Sequence, residues 1–145
     1  MEIRLMTIED VPQIAALEQL CFSAPWSSTS LEYELNNPLS LWLVAHIDGQ
    51  IAGYVGSQTV MGETDMMNIA VVPEFRRQGV AQRLIEELIV RLKMRQSHCL
   101  TLEVRASNAP AIALYQKLAF IQVGRRPGYY RNPREDALIL RKEWS

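Results

Sequence analysis

Cysteine is scarce in this 145-residue chain: only Cys21 and Cys99 occur, and no Cys-x-x-Cys pair. That excludes a zinc ribbon and a dithiol redox motif, and a domain of this size needs no disulfide, so both are expected as reduced thiols. Histidine is equally sparse. His46 and His98 are too few and too dispersed for a metal site, and no metal is expected. Gly and Pro, seven of each and scattered, rule out collagen-like or low-complexity character. No apolar run exceeds five residues, far short of the ~20 that a membrane helix requires. The opening Met1-Glu2-Ile3-Arg4 has neither a secretory apolar region nor the look of a transit peptide, which points to a cytoplasmic protein without membrane contact. An excess of one charge is also missing. Fifteen Lys and Arg against sixteen Asp and Glu leave a net −1, which argues against a broad nucleic-acid surface.

What is present suits one domain over residues 1–145. Apolar residues make up 48% and charged residues 21%, and a chain of this length buries roughly 70% of its unfolded surface. Ile3 and Leu5 suggest a short strand. Val11, Ile14, Leu17 and Leu20 recur at helical spacing over 11–22, and Ser27 or Ser28 can cap a second helix ending near Asn36. Strands are expected over 41–47, 51–60 and 66–72, the first two joined by the hairpin signal Asp48-Gly49 and the third ended by Pro73. Residues 79–95 carry a continuous apolar stripe. Leu100, Leu102 and Val104 alternate with Thr101, Glu103 and Arg105 as in a half-buried strand. Asn108-Ala109-Pro110 opens a further helix, and 120–124 and 137–140 read as two last strands joined by a polar connector. The expected architecture is α/β: a mixed sheet of about seven strands with about four helices on both faces.

The densest chemical signal lies over Asn68-Ile69-Ala70-Val71-Val72-Pro73-Glu74-Phe75-Arg76-Arg77-Gln78-Gly79-Val80-Ala81-Gln82, a strand, a tight basic turn and a helix start. A helix N-terminus presents unpartnered N–H groups and the positive end of a dipole, which together attract anions. Gly79 lets the backbone approach a ligand, Ala81 stays small, and Arg76 and Arg77 add charge suited to phosphates. An ordinary helix beginning with glycine has the same appearance. The turn is neither a Walker loop nor a dinucleotide fingerprint.

Arg76-x-x-Gly79-x-Ala81, after Ile69-Ala70-Val71-x-Pro73, resembles the acetyl-CoA pyrophosphate turn of the GNAT acetyltransferase superfamily, with Ala81 where many members carry a second glycine. Leu102-Glu103-Val104-Arg105-Ala106-Ser107-Asn108, Ala111-Ile112-Ala113-Leu114-Tyr115, Pro25-Trp26, Tyr129-Tyr130 and Arg134-Glu135-Asp136-Ala137 resemble the branch that acetylates the N-terminal alanine of ribosomal proteins. The resemblance implies acetyl-CoA as co-substrate and direct transfer to the α-amine of a protein N-terminus. It places the backbone of Ile69, Ala70 and Val71 along the pantetheine arm and thioester. The amides of Arg77, Gln78, Gly79, Val80, Ala81 and Gln82 would cradle the pyrophosphate, and Asn108 would bind the cofactor. Glu103 becomes the proton acceptor and Tyr115 the proton donor.

The chemistry is consistent with those roles. An α-amine, with a reference pKa of about 7.7–8.0 against ~10.4 for lysine, is the easier amine to deprotonate. Glu103 can take that proton directly or through water, the Val71 N–H can face the acyl oxygen, and a phenol can protonate a departing thiolate. On pattern alone, Glu103 also fits a solvated strand face, Tyr115 a core aromatic and Asn108 a plain helix cap. Trp26, Tyr33, Tyr129 and Tyr130 are candidate groove walls. Glu32, Glu34, Glu63, Asp65, Glu135 and Asp136 offer charge complementary to a basic peptide. Competing readings are a GNAT enzyme for small amines or lysine side chains, and a non-catalytic acyl-CoA-binding module.

Overall fold

The period-2 and period-3.6 patterns resolve into eleven elements in the computed structural model, which describes residues 1–144. In chain order these are β1 (Glu2–Leu5), α1 (Val11–Cys21), α2 (Ser28–Leu35), β2 (Ser40–Ile47), β3 (Gln50–Val60), β4 (Glu63–Val71), α3 (Val80–Met94), β5 (Cys99–Arg105), α4 (Ala109–Lys117), β6 (Ile121–Tyr130) and β7 (Glu135–Glu143). The strands form one mixed sheet in the order β1-β2-β3-β4-β5-β7-β6. Neighbours are antiparallel except β4 and β5, which run parallel.

Helices cover both faces, so central strands bury both sets of alternating side chains. In β2, Leu41, Leu43 and Ala45 face the layer built by Leu84, Ile85, Leu88 and Leu92 of α3 and by Tyr115 of α4. Trp42 and Val44 face the opposite layer, with Val11, Ile14 and Leu17 of α1 and Leu31 of α2. Each fully buried leucine of α3 contributes roughly 1.5–3 kcal/mol, which holds the helix against the sheet. Capping follows the sequence: Ser27 Oγ accepts from the Ser30 amide at 3.1 Å, and Asn108 Oδ1 from the Ala111 amide at 3.3 Å.

Four expectations need correction. β4 starts at Glu63, not near Met66, because Thr64 is buried with its hydroxyl bonded to Thr59 and Ser97. A polar residue satisfied inside the sheet breaks the apolar pattern without breaking the strand. The polar stretch after Gly124 is not a connector but the continuation of β6 through a register shift, and β7 is longer than 137–140. Charge holds that hairpin together: Arg125 pairs with Asp136 at 2.7 Å, and Arg105 donates to the carbonyls of Arg131 and Pro133 and pairs with Glu135. Phe120 lies just outside β6, buried against Tyr115. Both cysteines are free thiols, Cys99 fully buried and Cys21 partly so.

Asp10 anchors the entry to α1. Its carboxylate accepts from both terminal nitrogens of Arg4, at 2.7 and 2.8 Å, and from the Thr7 amide. The Arg4 bonds hold this carboxyl below its ordinary range even though burial opposes them. A depressed folded-state pKa adds stability above the unfolded value of about 4 and loses it as pH falls through the lower folded value. Asp10→Asn is expected to flatten that acid slope and to cost about 1–3 kcal/mol at neutral pH. Urea unfolding between about pH 2 and 7 checks it.

Candidate active site

β4 and β5 pair for three residues only, from Glu63 with Cys99 to Asp65 with Thr101. Both strands run on, to Val71 and to Arg105, with no further pairing between them. On its other edge β4 stays zipped to β3 as far as Val71 opposite Gly53, and the Val72 amide donates to Ala52 O at 2.8 Å. Donor direction alternates along an antiparallel strand. Ala70 and Asn68 therefore also turn toward β3, while Ile69 and Val71 turn their N–H and C=O groups into the gap. The Val71 carbonyl accepts from Arg76 Nε at 3.3 Å, and its amide has no sheet partner. A bulge sets this phase. Asn68 stands opposite Gly56 and Met66 opposite Ser57, which leaves Met67 as the extra residue.

Past Pro73–Phe75 the chain twists into α3 through two left-handed residues, Arg77 at φ 62° and Gly79 at φ 77°. Such alternation lines up successive N–H groups as a concave anion nest. The first amide after it to find a helical acceptor is that of Arg83, bonded to Gly79 O at 3.0 Å, so Val80, Ala81 and Gln82 keep theirs free of intrahelical bonds. A Cβ on Gly79 would meet nothing within 4 Å; the left-handed backbone angle favours glycine, and the space beside it is open. Arg76, Arg77 and Gln78 are exposed around this row of donors, an arrangement that suits phosphate groups. The Asn108 side chain is occupied as the cap of α4.

Leu100, Leu102 and Val104 point into the α3–α4 layer, so Glu103, between them, projects on the α1–α2 side of the sheet. It is half-buried. Oε1 lies 3.6 Å from Arg126 Nε, and Oε2 is buried without a well-formed hydrogen bond. Tyr129 stands beside it, and interaction with this carboxylate raises the phenol above its ordinary range, with partial burial adding to the effect. Asp65, the last residue of β4 paired with β5, is pushed upward by partial burial and then by the Glu103 charge.

Tyr115 comes from the opposite face. It is 5% exposed, edge-on to Phe120 with ring centroids 5.6 Å apart, and burial pushes its phenol up to about 12, with Tyr130 adding to the effect. Among the described residues no side-chain or backbone acceptor takes its hydroxyl hydrogen. Tyr130 neighbours both groups. Burial, then the Glu103 charge, raises it to about 12, against the opposing Arg105 guanidinium 4.4 Å from its ring centroid. The carboxylate and the phenol thus lie on opposite faces of the sheet, beside one gap.

Other candidate residues divide. Tyr129 and Tyr130 pack edge-to-face at 5.1 Å beside Glu103, and Trp26 packs edge-on to Trp42 at 5.4 Å, whereas Tyr33 is largely exposed. Glu34 is buried and bonded to Gln58 and Asn37, and Glu135 and Asp136 are consumed by the β6–β7 tip. Those three are structural and do not offer free charge to a peptide. Sequence reasoning missed Arg126, the cation nearest Glu103, because it sits in the stretch read as a connector. Among the described residues no cluster of three or more His, Cys, Asp or Glu side chains is arranged to hold a metal, and no helix is long and apolar enough to cross a membrane.

A family model described as the acetyltransferase (GNAT) family matches residues 11–120. This chain belongs to that family. It is 39% identical over 141 residues to the [ribosomal protein bS18]-alanine N-acetyltransferase of Salmonella typhimurium, covering 95% of this chain and 94% of the relative. The crystal structure of the Escherichia coli ribosomal-protein-S18-alanine N-acetyltransferase superposes with a TM-score of 0.91 at 36% identity, over 99% of this chain and 94% of that one. The Arabidopsis thaliana protein NAA60, solved with acetyl-CoA, superposes at 0.87 with 19% identity over 98% of this chain and 97% of that one, a likeness of fold alone. The seven-stranded mixed sheet with four helices is the GNAT fold.

Gly79→Val forces a branched side chain into a left-handed backbone. It is expected to weaken coenzyme A binding by about tenfold or more while leaving peptide KM little changed, and titration calorimetry with peptide kinetics checks both. Selective loss of peptide affinity would show that the turn serves the acceptor instead.

Proposed function

We propose that residues 1–145 form one domain that transfers the acetyl group of acetyl-CoA to the N-terminal alanine of a small-subunit ribosomal protein, with bS18 the substrate named for its relatives. A ribosomal substrate implies a cytoplasmic setting. The observation that carries this reading is the gap between β4 and β5, which has Glu103 on one face of the sheet and Tyr115 on the other. A neighbouring nest of amides provides the phosphate cradle.

In this reading Arg77, Gln78, Gly79, Val80, Ala81 and Gln82 hold the pyrophosphate by their main chain, and Asn108 borders it from the start of α4. The backbone groups of Ile69 and Val71, turned into the gap, guide the pantetheine arm; Ala70, expected beside them, is instead bonded to β3 and only spaces the two. When bound, acetyl-CoA supplies a thioester-activated acyl group. Val71 directs its unpaired amide toward the acyl oxygen, an interaction of a kind worth about 3 kcal/mol where one such donor is removed. Glu103 takes the proton from the α-amine, for which Arg126 must yield its place beside the carboxylate. Tyr115 returns a proton to the sulfur. Its raised pKa keeps that proton on the phenol throughout the neutral range. No covalent enzyme intermediate is needed, so neither Cys21 nor Cys99 has a part in transfer.

Acetyl-CoA with a peptide panel tests the reading, with products located by mass spectrometry. Acetyl groups are expected on the α-amine of an Ala-initial peptide; faster transfer to polyamines or internal lysines would overturn it. Glu103→Gln is expected to lower kcat by about 10²–10⁴ with acetyl-CoA affinity retained, and unchanged turnover would remove Glu103 from the mechanism. Tyr115→Phe is expected to slow transfer at every pH between about 6 and 9, with no alkaline fall in the parent enzyme traceable to Tyr115 in that range.

A further inference from the structure

Glu18, in the last turns of α1, is fully buried and has no place in the acyl-transfer scheme above. A carboxylate taken out of water costs several kcal/mol unless its oxygens are well bonded. Here each oxygen has one donor. Oε1 accepts from the backbone N–H of Trp26 at 2.9 Å, and Oε2 from Asn68 Nδ2 at 2.7 Å. No Lys or Arg side chain pairs with it among the described residues. Burial raises its pKa, while the two bonds oppose that shift.

Its donors come from two different walls. Trp26 belongs to the loop of residues 22–27 between α1 and α2; Asn68 belongs to β4, three residues beyond Asp65, where pairing with β5 stops. Asn68 reaches Glu18 only because of the bulge at Met67. Met67 packs into the α1–α2 layer, and without the extra residue the next side chain would turn to the other face. The loop is fixed at a second point, since the Trp26 ring stands edge-on to Trp42. The Trp42 ring in turn covers Gly56, where a Cβ would come within 2.4 Å of it. Gly56 is the residue opposite Asn68. The loop, the buried carboxylate and the bulge are therefore one packed unit beside the gap. Glu103 projects on the same side of the sheet, so an amine that reaches it approaches over the face that carries this loop.

We infer that Glu18 is a positioning residue for the acceptor: by tying the Trp26 backbone to the Asn68 side chain, it sets how close the 22–27 loop stands to the gap, and thereby how bulky a first residue the site admits. The inference rests on the acyl-transfer reading and adds a determinant of its specificity. A hydrocarbon at position 18 would fill the volume but would leave both donors unbonded and the loop free to move outward.

Steady-state kinetics of the full chain, with peptides that differ only in their first residue (Ala, Ser, Val, Leu), tests it. Asn68→Ala cuts one arm of the tie in a half-buried side chain, so folding is retained. We expect the KM of the Ala-initial peptide to rise by about tenfold, the scale of one lost hydrogen bond to a charged group. The preference for Ala over Val should fall by a similar factor, with acetyl-CoA KM and kcat within about twofold of the parent. Glu18→Gln is expected to restore near-parental selectivity, because its amide oxygen still accepts from Trp26 and its NH₂ meets Asn68 once that side-chain amide turns over. Glu18→Ala should behave as Asn68→Ala or worse. Unchanged peptide KM and first-residue preference in Asn68→Ala and Glu18→Ala would overturn the inference. So would a parallel loss of acetyl-CoA KM, peptide KM and melting temperature, which marks a purely structural role. A parent enzyme inactive on every peptide would overturn the transfer reading itself.

Discussion

Everything chemical in this fold depends on two neighbouring strands that stop pairing. Main-chain groups inside a sheet are normally consumed by their neighbours, and an unpaired one is costly unless something else bonds it. Beyond Asp65 and Thr101, β4 and β5 leave a row of such groups facing a gap, and the sheet survives because each strand keeps its other partner, β3 or β7. The gap also connects the two faces. α3 and α4 bring the amide nest and Tyr115 from one side, and β5 presents Glu103 on the other. In the proposed reading, a proton acceptor and a proton donor then act on opposite ends of one transfer without competing for the same space.

Electrostatics sharpens the division. Tyr115 sits in an apolar layer where ionisation is suppressed, which suits the proton donor of the proposed reading. Glu103 sits where Arg126, Tyr129 and Tyr130 converge, half open to solvent and with one oxygen left unsatisfied. The charges of Glu135, Asp136, Arg105 and Arg125 are spent in holding the β6–β7 tip that carries the two tyrosines to that spot.

Much of this was readable in the residues. The apolar stripe of α3 and the alternation of β5 carry their elements directly, because burial on one face leaves a periodic record. Arg76 to Gln82 announced a tight basic turn into a helix, and the left-handed angles at Arg77 and Gly79 show how its backbone makes that turn. Other parts left no such record. A strand built from Arg-Arg-Pro-Gly-Tyr-Tyr reads as a loop, since its stability comes from ion pairs with residues far along the chain. The roles of Asn68 and Glu18 depend on a one-residue bulge, and a bulge changes which face a side chain occupies without changing composition. The acidic residues could be counted in the sequence, but only packing separates the buried Glu34 and the tip-bound Asp136 from the exposed Glu32.

Residue-resolved amide hydrogen exchange, with and without acetyl-CoA, reaches the central claim most directly. Val71 and the turn amides from Gly79 to Gln82 should gain protection when the ligand is added, while Ala70, already turned toward β3, should not change. Protection absent from Val71 and from the turn, or appearing only on the outer strands β1 and β6, would contradict the claim that the parted strands receive the acyl donor.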